Sequence, residues 1–297
     1  MACRKERYGK INIKNFYIRR TLRIWPLYFL IIALAPLLVY ITNAPQPDYI
    51  PNLFFYNNFS TIHTMRWDYP FAHLWSICIE EHFYIVWPLL ILFTPKKYLT
   101  ALFSIVILGC CAFRFYTFQS NPEPWYTLYL HTFSRIDVLV IGALIAYLHF
   151  AKAISFSLNA TIRSVLFIIL FGTLIFDIVG NCFDWFLVVF KKYFYIGLFA
   201  ILIFDYNLNR AIKPFRFGHK IWSYLGKVSF GIYMYGNLFF LVILGVWMPN
   251  MHTKNLYIYI ILLIATSILI PIISYELYEK YFLTLKKRFT TVPTGNS

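Results

Sequence analysis

The stretch His73-Leu74-Trp75-Ser76-Ile77-Cys78-Ile79-Glu80-Glu81-His82-Phe83-Tyr84-Ile85-Val86-Trp87-Pro88 decides how this chain is read. It sets two adjacent acids and two histidines at the mouth of an apolar run. Ionisable groups are costly in hydrocarbon, so such a cluster marks a functional position. On a helix, His73, Ser76, Glu80 and Tyr84 are spaced three, four and four apart and share one face. That face suits a sugar hydroxyl, with a carboxylate or imidazole to take its proton. The competing reading is a helix end at the membrane surface, with Glu80 and Glu81 in water. Spacing alone does not choose between them.

Composition places the stretch in a membrane protein. Of 297 residues, 60% are hydrophobic and 13% charged, and mean hydropathy is +0.63. A soluble domain is about half apolar and a quarter charged. The expectation is an all-α, polytopic membrane helix bundle forming one integral-membrane domain over 1–297. At about 20 residues per span, it would have about eight transmembrane helices. The apolar runs are Thr21 to Ile41 (interrupted by Pro26 and Pro36), 77–94, 98–114, 133–150, 161–179, 190–206, 226–247 and 256–276. Residues 1–20 read as a basic arm. Residues 42–75 read as an outer loop whose Trp67, Tyr69 and Phe71 are of types enriched at membrane interfaces.

The net charge of +15 would raise nucleic-acid binding in a soluble protein. Here the basic residues fall between apolar runs, which the positive-inside rule explains without nucleic acid. With the N-terminus inside and the spans alternating, all but Arg66, Arg114, Arg135, Lys191, Lys192 and Lys254 of the 27 Lys and Arg lie inside. A multi-pass protein of the cell (cytoplasmic) membrane with both termini cytoplasmic is therefore expected. Lys191 and Lys192 strain that assignment, because they require the sixth span to start late. The five cysteines are odd in number and lack CxxC or CxxH spacing, so neither a disulfide framework nor a metal site is indicated.

This orientation sorts the polar clusters. Arg19, Arg20 and Arg23 fall at the inner end of the first span, where guanidinium forks suit the phosphates of an anionic donor. Positive-inside anchoring explains them equally. Glu80 and Glu81 open outward, as does Ser134-Arg135-Ile136-Asp137. Arg135 shares a face with Gly142 and needs an acidic partner, for which Glu80 or Glu81 are candidates. Asp137 is read either as catalytic or as a helix cap with Ser134. Ser229, Tyr233 and Gly236 lie along one face of a later span, a spacing common in helix packing. Tyr275, Glu279 and Lys280 read as an amphipathic end emerging into the cytosol.

In this order, Phe16 to Pro26, His73 to Pro88, Arg135 to Ala146, Gly226 to Asn237 and Ser274 to Lys280 resemble acyltransferase family three. These are membrane O-acyltransferases that include polysaccharide O-acetylases. The resemblance implies transfer of an acyl group, often acetyl from acetyl-CoA, to a hydroxyl of a cell-envelope carbohydrate. Acyl-CoA is then a co-substrate and no cofactor is bound. The resemblance implies donor binding by Arg19, Arg20 and Arg23, and catalysis by His73, Glu80, Glu81 and Arg135. Substrate contacts are implied at Trp75, Ser76, Tyr84 and Asp137, with Ser229 and Tyr233 added from the later span.

There are departures. The family opens with a helix carrying an Arg and a His, followed by a second helix, and this sequence starts before what resembles the third. Gly236 stands where the family usually has His, and Glu279-Lys280-Tyr281 replaces its Glu-x-Pro. The expectation is a truncated product, a misplaced start or a degenerate relative, inactive on its own. His73, His82 or a glutamate would then serve as base. Two other classes are carried: a transporter or flippase of a lipid-linked glycan, and a non-catalytic membrane remnant.

Overall fold

A computed structural model describes residues 12–151, 158–179, 185–208, 220–242 and 256–289. Residues 1–11 of the basic arm, the basic segment 209–219, Lys152, Lys254, Cys3 and Cys182 lie outside the described residues. In chain order the helices are α1 (Ile13–Thr42), α2 (Tyr49–Leu53), α3 (Asn57–Thr64), α4 (Trp75–Phe93), α5 (Leu99–Ser120) and α6 (Trp125–Leu130). They continue as α7 (Thr132–Phe150), α8 (Ala160–Val179), α9 (Trp185–Leu208), α10 (Lys220–Val242), α11 (Leu256–Ser274) and α12 (Lys280–Lys287). A π-helical turn over Tyr275–Glu279 joins the last two. No strand occurs among the described residues.

Each predicted apolar run lies mainly on one of these helices, with 243–247 of the run 226–247 outside the described residues. Among the described residues, the segments long and apolar enough to cross a bilayer are Ile13–Thr42, Ala72–Phe93, Lys96–Ser120, Trp125–His149 and Ile260–Lys287. The chain is thus an all-helical, multi-pass protein with five candidate spans among the described residues, while the expected count of about eight is not established.

The chain divides into two compact units, one of Asn12–Tyr84 with Phe217–Ser297, the other centred on Ile85–Arg216. In the first, α1 starts where the Asn12 side chain accepts a hydrogen bond from the Asn15 N–H at 2.9 Å, the usual N-cap bond. It ends at Asn43, whose left-handed φ of 50° is an ordinary helix stop for asparagine. Residues 13–20, read as the end of the basic arm where it enters a helix, belong to α1, and Arg19 and Arg20 stand on a rigid element. At 30 residues α1 is about 45 Å long.

Its buried face (Ile24, Leu27, Tyr28, Ile31 and Ala35) packs in one core with Phe71, Leu74, Ile77, Met234 and Leu238. Lipid gives apolar surface no reason to leave it, so this close fit holds the bundle by dispersion and by internal hydrogen bonds. One such bond runs from Tyr28 Oη to the Asn52 carbonyl at 2.8 Å, with the Tyr28 ring stacked on Phe55.

Segment 42–75 is more than a connector. Asp48 caps α2 by accepting from the Ile50 N–H at 3.0 Å. Asn57 Nδ2 donates to the Phe71 carbonyl at 3.1 Å, and Phe71 is fully buried. The π turn aims Glu279 inward, where it is buried, and leaves Glu276 and Lys280 paired outside at 2.6 Å. Glu279 is thus not part of the exposed amphipathic end expected from sequence. Gly231 makes room for it, since a Cβ there would meet Glu279 Oε1 at 3.1 Å and Pro271 Cβ at 3.2 Å.

Candidate functional site

In the unit of α1, polar contacts climb between α1 and the start of α4. Arg20 Nη1 donates to Tyr84 Oη at 3.4 Å, with the guanidinium 4.4 Å from the Tyr84 ring centroid. Tyr84 Oη donates to Glu80 Oε2 at 3.1 Å, one turn back along α4. Further along α1, Trp25 Nε1 donates to Glu81 Oε2 at 3.2 Å. Higher numbers on α1 meet lower numbers on α4, so the two helices run antiparallel. Glu81 is buried, and its Oε1 has no hydrogen-bond partner among the described residues.

About 12 Å along α4 from Tyr84, Ser76 Oγ lies 2.6 Å from Tyr233 Oη of α10. Tyr233 Oη also donates to the His73 carbonyl. His73 Nε2 lies 3.1 Å from the Met234 carbonyl, which can only accept, so the proton sits on Nε2. The free electron pair of the neutral ring is then on Nδ1, which is buried without a hydrogen-bond partner of good geometry among the described residues, though the Pro70 backbone lies near the ring.

Ser76, Glu80 and Tyr84 thus lie at intervals of four along α4, with His73 on the 3-10 turn just before it. The carboxylates, however, do not stand apart from the arginines at an opposite mouth. Arg20 and Glu80 share Tyr84, because the antiparallel pairing brings the middle of α4 level with the first turns of α1. His82 points elsewhere, its ring stacked on Phe59 of α3. Trp75 is half-buried at the first residue of α4. Ser229 is exposed and bonds back to its own helix at the Gly226 carbonyl, so it does not join this cluster.

Two residues at the basic end were missed from sequence. Trp25, within the quoted Arg-Ile-Trp-Pro, positions Glu81. Lys286 of α12 stands near enough to Arg23, Arg20 and Arg19 to feel their charge. Arg19 Nη1 donates to the Phe289 carbonyl just past α12, at 2.8 Å. Position along the chain could not reveal that the last helix returns to the first.

Arg135 and Asp137 belong to the other unit and make their own cluster. Asp137 is fully buried, with Arg114 Nη1 at 2.8 Å on Oδ2 and Lys192 Nζ at 2.8 Å on Oδ1. Arg114 Nη2 donates to Tyr193 Oη at 2.6 Å, and Nη1 to the Ser134 carbonyl at 3.2 Å. Lys192 Nζ also donates to the Ser134 carbonyl. The capping reading of Asp137 fails: the side chain of His131 caps α7, and Ser134 Oγ donates to the Thr127 carbonyl.

Arg135 does not use the shared face expected of it. Its Nε donates to the Tyr129 carbonyl at 2.8 Å, with the guanidinium over the Tyr129 ring. The cation that meets Asp137 is Arg114, at the end of a run read as a plain span. Lys192 is no loop residue, since α9 carries it into the same cluster; that is why it strained the charge count. A second buried pair, Arg163 Nε to Asp205 Oδ2 at 2.7 Å, ties α8 to α9.

Comparisons with known proteins match the sequence to a named family. A family model described as an acyltransferase domain matches residues 1–276. The chain is 26% identical over 302 residues to the O-acetyltransferase OatA of Staphylococcus aureus strain NCTC 8325 / PS 47, covering 92% of this chain and 48% of the relative. OatA of strain COL matches with the same identity and coverage. The chain thus spans about half the length of the curated relatives it matches. No solved structure matches it.

Proposed function

The chain belongs to acyltransferase family three, and on that premise we propose that it transfers an acyl group, acetyl in the first instance, from acyl-CoA to a hydroxyl of a cell-envelope carbohydrate. The basic end of α1 faces the cytosol and takes the donor. Arg19, Arg20, Arg23 and Lys286 supply the positive charge that the CoA phosphates need, and an arginine fork grips a phosphate in two places.

The observation that carries this reading is the continuity of contacts from Arg20 through Tyr84 to Glu80, with Glu81 held by Trp25 beside it. A carboxylate with one bonded and one open oxygen is suited to accept a proton. Glu81 takes the proton of the sugar hydroxyl as its oxygen attacks the thioester carbonyl. The new C–O ester bond forms, the C–S bond breaks, and the proton passes from Glu81 to the departing CoA thiolate. His73, with Nδ1 unprotonated, is the second base.

The test is transfer of labelled acetyl from acetyl-CoA to carbohydrate by the chain in membranes, beside direct acetyl-CoA binding. Arg20→Ala should weaken donor binding, and Glu81→Gln should stop transfer while donor binding persists. Full transfer in both variants would remove these residues from the reaction. Failure of the unaltered chain to bind any acyl-CoA would end the transferase reading.

A further inference from the structure

At the other end of α1, about 33 Å of helix from Arg20, the chain forms an open cavity of about 380 Å³. Trp67, Asp68 and Tyr69 line it, with Ala44, Pro45, Gln46 and, from α10, Phe240. Every lining residue belongs to the unit of α1. The volume lies at the small end of the range for ligand pockets, roughly 300–1,000 Å³. Its chemistry is that of a few polar groups set among aromatic rings.

We propose that this cavity holds a pyranose ring of the carbohydrate acceptor, a reading that rests on the transferase function above. A sugar presents an apolar C–H face and a rim of hydroxyls, so it needs both ring surfaces and hydrogen-bonding groups. Trp67, Tyr69 and Phe240 provide the rings. Asp68 and Gln46 provide acceptors, and Gln46 also an amide donor. Asp68 is already fixed, its Oδ2 accepting from the Asp48 N–H at 2.9 Å, so it would meet a ligand without being reordered. Burial pushes the Asp68 carboxyl up from the ordinary carboxylate range, against the pull of that N–H bond.

Charge narrows the occupant. Two carboxylates, Asp48 and Asp68, stand at this end against one exposed cation, Arg66, which disfavours a phosphate and leaves CoA to the basic end. Chain and helix also place the cavity near the His73 end of the candidate site. The Phe71 N–H donates to the Asp68 carbonyl at 2.8 Å, two residues before His73. Phe240 lies about 10 Å along α10 from Tyr233, which touches Ser76 and the His73 carbonyl. A ring seated here would let further sugars of a chain run past Tyr233 and Ser76 along α4 toward Glu81.

The experiment titrates the purified full chain in lipid nanodiscs with maltotetraose, cellotetraose and chitotetraose by calorimetry. At least one should bind saturably. Trp67→Ala should weaken that binding by about tenfold, the loss of one ring face, and Trp67→Phe should restore most of it. In transfer assays the acceptor KM of Trp67→Ala should rise by a similar factor, with the acetyl-CoA KM unchanged.

Binding of none of the three sugars would overturn the proposal. So would sugar binding that Trp67→Ala, Tyr69→Ala and Gln46→Ala leave untouched, as expected if the rings only anchor the loop in lipid. Transfer with an unchanged acceptor KM in Trp67→Ala would sink the cavity and spare the transferase. Trp67-dependent sugar binding without any acyl transfer would sink the transferase and spare the sugar site.

Discussion

The Asp137 cluster and the Glu81 cluster are both buried acids among cations and aromatic rings, yet they are built differently. Asp137 has a cation on each oxygen, and those cations are held in turn by Tyr193 and the Ser134 carbonyl. Glu81 has a single indole N–H on one oxygen and nothing on the other among the described residues. A fully bonded carboxylate has no lone pair to lend, and disturbing it exposes uncompensated charge. An under-bonded one is an exception to the rule that buried polar groups are satisfied, and such exceptions mark chemistry. The first cluster therefore reads as architecture and the second as a site.

Substitutions can break that distinction. Asp137→Asn should do the most damage, because it strands Arg114 and Lys192 in the interior. A loss of about 3–5 kcal/mol is expected, read as a lower thermal midpoint in detergent. Removing the charges together, as Arg114→Met with Asp137→Leu and Lys192→Met, should recover much of that loss. If it does not, the cluster does more than hold helices.

Glu81→Gln should behave in the opposite way, with an unchanged midpoint and transfer slowed by about 10²-fold or more. Glu80→Gln should cost less, since the amide can still accept from Tyr84. An unfolded Glu81→Gln protein would erase the contrast. Next in size is Gly231→Ala, whose Cβ would press on Pro271 Cβ at 3.2 Å and on Glu279 Oε1 at 3.1 Å; unless both give by a few tenths of an ångström, overpacking there should cost about 1 kcal/mol or more. Lys280→Gln breaks only an exposed pair one turn apart and should leave the midpoint where it is.

Helices were legible in the sequence because apolar runs and their punctuation are local signals. So was the face of Ser76, Glu80 and Tyr84, because a helix fixes which residues share a side. What the sequence could not supply was pairing across distance. Arg114 lies 23 residues before Asp137 and Lys192 lies 55 after it, and nothing local joins them. A usable signal did exist: cations at the edges of apolar runs need a partner, and the charge count already strained at Lys192. Glu279 was misread for a similar reason, since regular helical geometry gave no sign of the irregular turn that swings it inward.

That turn has a further consequence. A π-helical segment carries one residue more than a regular helix would, and each residue rotates everything after it by about 100°. Strip out a single position between Tyr275 and Glu279, and α12 would revolve by more than a quarter of a circle, taking Lys286 away from Arg19, Arg20 and Arg23. The fourth positive charge at that end is thus dialled into place by a surplus residue upstream, and a one-codon deletion in an uncharged stretch of that turn would be felt as a change in grip on a polyanion.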